Sequence, residues 1–399
     1  MHKCPSVLLH LHPPALRQAC SHSGATKGDA ATSGGGWRLS LEAAQHRRFV
    51  RDPMAWASLR RNSARAMTPP PIFIVGAPRS GTSLLRQMLN RHPAIAICDE
   101  THFFRLIYQK RGRKAFGDLN DPANRRRLAL DYLSLPPTRK LGLDQAKLAE
   151  RLTAEAVSYP AMFASILSFY AESEGKQRVG EKTPNHALAA ETLCEWFPGA
   201  VVLHLVRDPR DVAASLMRMR FGSSSAVLNA RTWVRLNLAA RRSSHRREYL
   251  EVRYENLVKQ PELELTRICQ FAGEDYSPRM LQAEQSSTQL PNEKDRHLTP
   301  LTEARQGRWR QELSPRQVAQ IEWAVGPQLE RFGYERETGK AALTVVLPGL
   351  GNAAMASVGR KISQLPALRV SVPKQIGNFG YLLRRRTVLS LRASRSGSR

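Results

Sequence analysis

The sequence has few cysteines, no long apolar run and, at its two ends, almost no acid. The five cysteines, Cys4, Cys20, Cys98, Cys194 and Cys269, are scattered, with no C-x-x-C pair and no histidines clustered beside them. That spacing argues against a disulfide framework or a structural zinc site and fits a reducing compartment such as the cytoplasm. The short apolar run Val7 to Leu9 is broken by His10, His12, Pro13 and Pro14, too early for a signal-peptide core. Residues 341–359 carry no charge, yet Pro348, Gly349, Gly351 and Asn352 make them a poor membrane span.

Acid is missing unevenly. The net charge is +27, but residues 1–70 hold ten Lys or Arg against three acids, and residues 340–399 hold eleven against none. The ends therefore read as basic appendages: solvated tails by default, with an anionic membrane surface or nucleic acid as the partners such tails can take. Arg384-Arg385-Arg386 beside Leu382 and Leu383 favours peripheral membrane contact. The expected organisation is a weakly ordered extension over 1–55, one main domain over 56–337 and a basic extension over 338–399.

What is present centres on Pro71 to Asn90, PIFIVGAPRSGTSLLRQMLN. Ile72 to Val75 is a short β-rich run ended by Gly76, as in a buried strand. Leu84, Leu85, Met88 and Leu89 then follow helical spacing. Gly81, Thr82 and Ser83 fall at the helix N-terminus, where free N–H groups and the dipole favour an anion. The frame from Gly76 to Gly81 is G-x-x-x-x-G, that of a phosphate-binding loop. Thr82 stands where a nucleotide triphosphatase carries Lys, and the positive charge lies inside the loop, on Arg79. With Ser80, Thr82 and Ser83 this makes one guanidinium and three hydroxyls, suited to a tetrahedral oxyanion.

Further strands are expected at 94–98, 178–182, 201–206 and 249–254. Helices are expected over about 185–196, 228–247, 261–272 and 315–332, with residues 113–175 mainly helical. Alternating strands and helices predict an α/β fold, a parallel sheet flanked by helices on both faces. Ligands of such sheets bind at the carboxyl ends of the strands, which here hold Arg79 to Ser83, Glu100, Lys182, Arg207 and Tyr254. Glu100 beside an anion-binding loop suits a general base, or a helix cap with Asp99 competing for that role. Lys182 suits charge stabilisation, or an ion pair with Glu181. Arg207 with Ser215 suits a second phosphate, or Arg207 an ion pair with Asp208 or Asp211. His102 could face an acceptor or simply pack.

These residues resemble the sulfotransferases that use 3′-phosphoadenosine 5′-phosphosulfate (PAPS), in particular the protein-tyrosine and carbohydrate branches and their bacterial relatives. Pro78-Arg79-Ser80-Gly81-Thr82-Ser83-Leu84-Leu85 is similar to the family's 5′-phosphosulfate loop. Arg207-Asp208-Pro209-Arg210 with Ser215 resembles its 3′-phosphate site. Glu100 sits where the family carries its base, and Glu181-Lys182-Thr183-Pro184 resembles a stretch whose Lys lies at the reacting sulfate. Val252 to Leu257 resembles the strand whose Tyr, here Tyr254, contacts the adenine side. Gly307-Arg308-Trp309-Arg310 resembles the closing loop. The resemblance, over about 71–335, implies a fold of the P-loop sulfotransferase and nucleotide-kinase kind. It also implies sulfuryl transfer from PAPS to a hydroxyl acceptor (glycan or glycolipid, phenol or tyrosine), release of adenosine 3′,5′-bisphosphate (PAP), no metal and no nucleic-acid partner. A P-loop kinase and a non-catalytic basic membrane- or nucleic-acid-binding protein are the alternatives.

Overall fold

A computed structural model of the chain describes residues 69–109, 116–282 and 306–339. The expected N-terminal extension, the start of the main domain, residues 341–359 and the Arg384–Arg386 cluster lie outside them.

Five strands form one parallel sheet: β1 Ile72–Gly76, β2 Ile95–Cys98, β3 Arg178–Lys182, β4 Val201–Val206 and β5 Tyr249–Arg253. Their order across the sheet is β2-β3-β1-β4-β5, every neighbouring pair parallel. Each parallel step needs a crossover, and helices supply it: α1 Thr82–Asn90, α2 Pro122–Leu133, α3 Gln145–Glu155, α4 Tyr159–Ser173, α5 Ala190–Trp196, α6 Pro209–Met217 and α7 Ala226–Arg241; α8 Tyr254–Lys259, α9 Pro261–Ala272 and α10 Pro315–Val325 follow the last strand. The sheet is covered on both sides, as expected.

The two-residue period of a strand divides the core. Ile72, Ile74, Leu203 and Leu205 pack with Leu85 and Met88 of α1 and Leu265 and Ile268 of α9. Phe73, Val75, Val202 and Val206 face the other way, in one core with Phe163 of α4, Val212 of α6 and Trp233 of α7. β1 is completely buried, so its four large apolar side chains each contribute about 2 kcal/mol of transfer free energy. The strand that carries the loop is thus among the best anchored parts of the molecule.

Several element ends differ from the sequence pattern, each for a local reason. The helix expected over 185–196 is a 3-10 turn, Pro184–Ala189, followed by α5. The one expected over 228–247 begins earlier, at Ala226, because Ser225 accepts from the Leu228 N–H, and it tightens after Arg241. The last helix breaks at Gly326 (φ 61°) and Pro327, leaving a separate turn, Gln328–Arg331. Phe104–Gln109 forms a π-helical turn. Tyr254 does not end the fifth strand; it opens α8.

The chain leaves β1 towards the β2 edge and leaves β4 towards the β5 edge. That divergence opens a crevice at the carboxyl ends of β1 and β4, the usual ligand site of such sheets.

Candidate active site

The loop after β1 is shaped by two glycines and one arginine. A Cβ on Gly76 would run into the Leu205 carbonyl oxygen, and one on Gly81 (φ 97°) into the Tyr254 ring. Arg79 adopts φ 73°, a conformation an arginine seldom takes, which turns the loop into the crevice. Thr82 opens α1, whose first turn contains no acid. Ser80 is completely buried, and its Oγ has no hydrogen-bond partner among the described residues. A buried hydroxyl in that condition costs free energy unless a ligand satisfies it. Loop N–H groups, the Ser80 and Thr82 hydroxyls and half-buried Ser83 therefore fit an oxyanion.

Across the crevice, Arg207 and Ser215 come directly against this loop. Arg79 Nε donates to Ser215 Oγ at 3.0 Å, and Arg207 Nη1 donates to the Arg79 carbonyl at 3.3 Å. The Arg207 guanidinium lies 4.2 Å from the Tyr254 ring centroid and 3.5 Å from Asp211. Of the two carboxylates the sequence offered to Arg207, Asp211 takes it and Asp208 does not. Asp208 pairs at 2.8 Å with Arg210, which continues to Glu322 at 2.8 Å and stacks on Trp309. Asp211 also holds the returning chain, accepting from the Gly307 N–H at 2.9 Å and the Trp309 N–H at 3.0 Å. Burial raises the Asp211 pKa, and Arg207 and these two donors oppose that shift. Arg308, between the two donors, is half exposed and pairs with Glu312 at 3.2 Å.

The third group gathers on β2 and β3. Lys182 Nζ lies 2.8 Å from both Asp99 and Glu100, and Glu100 also meets His102 Nε2 at 3.3 Å. Burial works against the Lys182 charge, but Glu100 and Asp99 outweigh it and raise the pKa, so the ammonium persists. Burial likewise pushes the Asp99 carboxyl up, and Lys182 and Arg86 more than reverse that, holding it well below the usual range. His102 shifts down, chiefly through burial, and is therefore mostly neutral at pH 7; its backbone, at φ 50°, is strained.

The alternative pairing of Lys182 with Glu181 does not occur. Adjacent strand residues point to opposite faces, and Glu181 enters the core on the α4 side. It is fully buried there, accepting from the Thr101 N–H at 3.1 Å, Thr101 Oγ1 at 2.8 Å, Thr183 Oγ1, and His186 Nδ1 at 3.1 Å. Four donors offset the cost of burying the carboxylate, and their net effect lowers its pKa against burial. Sequence reasoning missed Glu181 and Asp211 as organisers. The signal for Asp211 was present as the i,i+4 step from Arg207; nothing local marked Thr101 as the partner of Glu181.

Among the described residues, no group of three or more His, Cys, Asp or Glu is arranged to hold a metal ion, and no helix is long and apolar enough to cross a membrane.

A parallel sheet with a glycine-bounded loop at a helix N-terminus, faced by a second cationic site and a Lys-bridged carboxylate, defines a P-loop-like group-transfer protein. Residues 70–278 match the family model described as Sulfotransferase family. The match spans more than half of the chain, and the chain belongs to that family: it is a sulfotransferase. It is 26% identical over 294 residues to protein-tyrosine sulfotransferase A of Caenorhabditis elegans, covering 70% of each chain. It is 25% identical over 335 residues to the omega-hydroxy-beta-dihydromenaquinone-9 sulfotransferase Stf3 of Mycobacterium bovis, covering 71% of this chain and 80% of that one. Among solved structures, it aligns with the sulfotransferase domain of the Synechococcus olefin synthase at 26% identity and a TM-score of 0.48, over 67% of this chain and 95% of that one. Family membership sets aside the kinase and non-catalytic alternatives.

Proposed function

We propose that the chain transfers a sulfuryl group from PAPS to a hydroxyl acceptor, with Glu100 as the general base. The contact that carries this reading is Arg207 against the Arg79 carbonyl, which joins two oxyanion sites into one crevice of the kind a donor with a 5′-phosphosulfate and a 3′-phosphate requires. The loop N–H groups, Ser80, Gly81, Thr82 and Ser83 bind the 5′ end. Arg207 and Ser215 bind the 3′-phosphate, Tyr254 supports Arg207 near the adenine, and Arg308 contributes from the turn that Asp211 holds.

In the transfer step the acceptor oxygen forms a bond to sulfur as the bond from sulfur to the bridging phosphate oxygen breaks. Glu100 takes the acceptor proton, an effect worth roughly 10²–10⁴-fold. PAP leaves with the bonding electron pair, and Arg79 and Lys182 stabilise the charge that grows on its phosphate. Lys182 is already held 2.8 Å from Glu100, so one ammonium keeps the base oriented and faces the developing anion.

The test is transfer of radiolabelled sulfuryl from PAPS into a metabolite extract, with the labelled product identified by mass. Label appearing in an organic product supports the reading. Label recovered only as inorganic sulfate, together with failure of PAP to bind in calorimetry, would overturn it.

A further inference from the structure

Beside the loop lies a second cavity of about 350 Å³ that none of the roles above uses. Pro78, the residue before Arg79, forms part of its wall, and so does Asn185, three residues beyond Lys182. The opposite wall is α7, which presents Leu228, Arg231 and Arg235 to the space. Those positions are three and seven residues apart, so they share one helix face. Phe221 closes one side and is 58% exposed, an unusual placement for a large aromatic ring. A Cβ on Gly222 would run into the Leu216 carbonyl, so the turn bearing Phe221 sits tightly on the end of α6.

The charges of this cavity are unbalanced. Most other arginines of the crevice are committed: Arg207 to Asp211, Arg210 to Asp208 and Glu322, Arg218 to Glu312. Arg231 and Arg235 have no ion-pair partner among the described residues; Arg231 only approaches the Trp323 ring, at 5.8 Å. Two guanidiniums one helical turn apart repel each other slightly, and an oxyanion between them turns that repulsion into charge-assisted hydrogen bonds. An aromatic and aliphatic wall with two guanidiniums at one side matches an amphiphile with a single acidic group.

Resting on the sulfotransferase reading, we infer that this cavity holds the non-reacting end of the acceptor, and that the acceptor is a hydroxyl compound with an apolar body and a carboxylate or phosphate. Arg231 and Arg235 take the acidic group, Phe221 and Leu228 take the apolar body, and the wall at Pro78 leads towards the transferring loop. Exposed Arg231 and Arg235 are specificity-determining residues and belong to no step of the transfer.

Matched probes test this by calorimetry: phenylbutyrate, its neutral amide and phenylbutyl phosphate, each titrated with and without PAP. The acid or the phosphate should bind about tenfold or more tightly than the amide. The double substitution Arg231→Gln with Arg235→Gln should abolish that preference, and Phe221→Ala should weaken all three alike. The acid and phosphate arms separate the two sources of negative charge. Equal binding of acid, phosphate and amide, no binding by any of them, or a preference that survives the double substitution would overturn the inference. PAP is titrated alone on the same samples, so failure of the donor to bind counts against the sulfotransfer reading and is seen separately from the cavity result.

Discussion

The two sides of the crevice manage charge in opposite ways. On the β4–β5 side the two arginines that follow β4 are already matched within the protein: Arg207 with Asp211 and the Tyr254 ring, Arg210 with Asp208 and Glu322. On the β2–β3 side one ammonium, Lys182, serves two carboxylates, and one of these is shared again with His102. The carboxylates differ accordingly. The Asp211 side chain is 2% exposed and accepts two backbone N–H bonds, whereas that of Glu100 is 37% exposed and faces the open site. The first arrangement suits gripping a fixed anion. The second leaves a carboxylate accessible to a proton, with a cation beside it that can respond as charge moves.

The largest expected effect comes from removing the accessible carboxylate. Glu100→Gln keeps the shape and a hydrogen bond but cannot take a proton, so kcat should fall by about 10²–10⁴-fold while PAP affinity changes little. Single-turnover transfer together with PAP calorimetry measures both. Transfer near the wild-type rate would end the contrast, because the β2–β3 side would then have no role in proton removal.

Next comes the gripping side. Arg207→Ala deletes the guanidinium proposed for the 3′-phosphate and strands Asp211, so affinity for PAP should fall about 10- to 100-fold. AMP, which lacks that phosphate, should lose far less. Equal losses for the two ligands would assign Arg207 to holding the loop through the Arg79 carbonyl and not to reading the phosphate.

Much of this arrangement was legible in the sequence because it is local. The β1 run, its two glycines and the apolar spacing of α1 specify strand, loop and helix within twenty residues, and the loop chemistry follows from residue types at a known terminus. Arg207 could be placed because a buried apolar strand leads straight into it. Partner choice was not legible. Whether Lys182 meets Glu181 or Glu100 depends on where β3 ends and on the strand beside it, which is long-range pairing. The same holds for Asp211, whose backbone donors at Gly307 and Trp309 come from nearly a hundred residues away. The break at Gly326-Pro327 was written in the sequence, yet apolar periodicity on both sides of it concealed the end of the helix.

The foundations of the two sides also differ, and acid should expose this. On β4, His204 is fully buried, donates from Nε2 to Asn237 Oδ1 at 2.8 Å, and accepts at Nδ1 from the Tyr249 hydroxyl at 2.5 Å. Burial pushes its pKa down from 6.5 to about 4, although Glu251 nearby favours the charge and Arg241 opposes it. The unfolded chain therefore binds this proton more readily than the folded one between those two values. The sign is fixed: stability is unaffected above pH 6.5 and falls as pH drops towards 4, by at most about 3 kcal/mol from this one group. Urea unfolding at neutral pH and near pH 4.5 should show a smaller acid loss in His204→Gln than in the wild type. Identical slopes would mean that the buried imidazole contributes nothing to acid lability.

The smallest effect tests how the open carboxylate is held in place. Glu181 does not enter the crevice, but its bonds to the Thr101 N–H and hydroxyl fix the turn immediately after Glu100. Thr101→Val removes the hydroxyl that donates to Glu181 and accepts from the Phe103 N–H, with almost no change in volume, and leaves the Thr101 N–H, Thr183 and His186 still donating to Glu181. A hydrogen bond of this kind is worth about 1 kcal/mol, so a loss of about fivefold is expected. If Glu181 positions the base, a loss of that size also falls on kcat, with PAP affinity nearly unchanged, beside the modest loss of thermal stability that the missing bonds bring. A drop in stability with kcat preserved would make Glu181 part of the core alone. The accessible side of the crevice would then owe its geometry to Lys182, not to the carboxylate buried behind it.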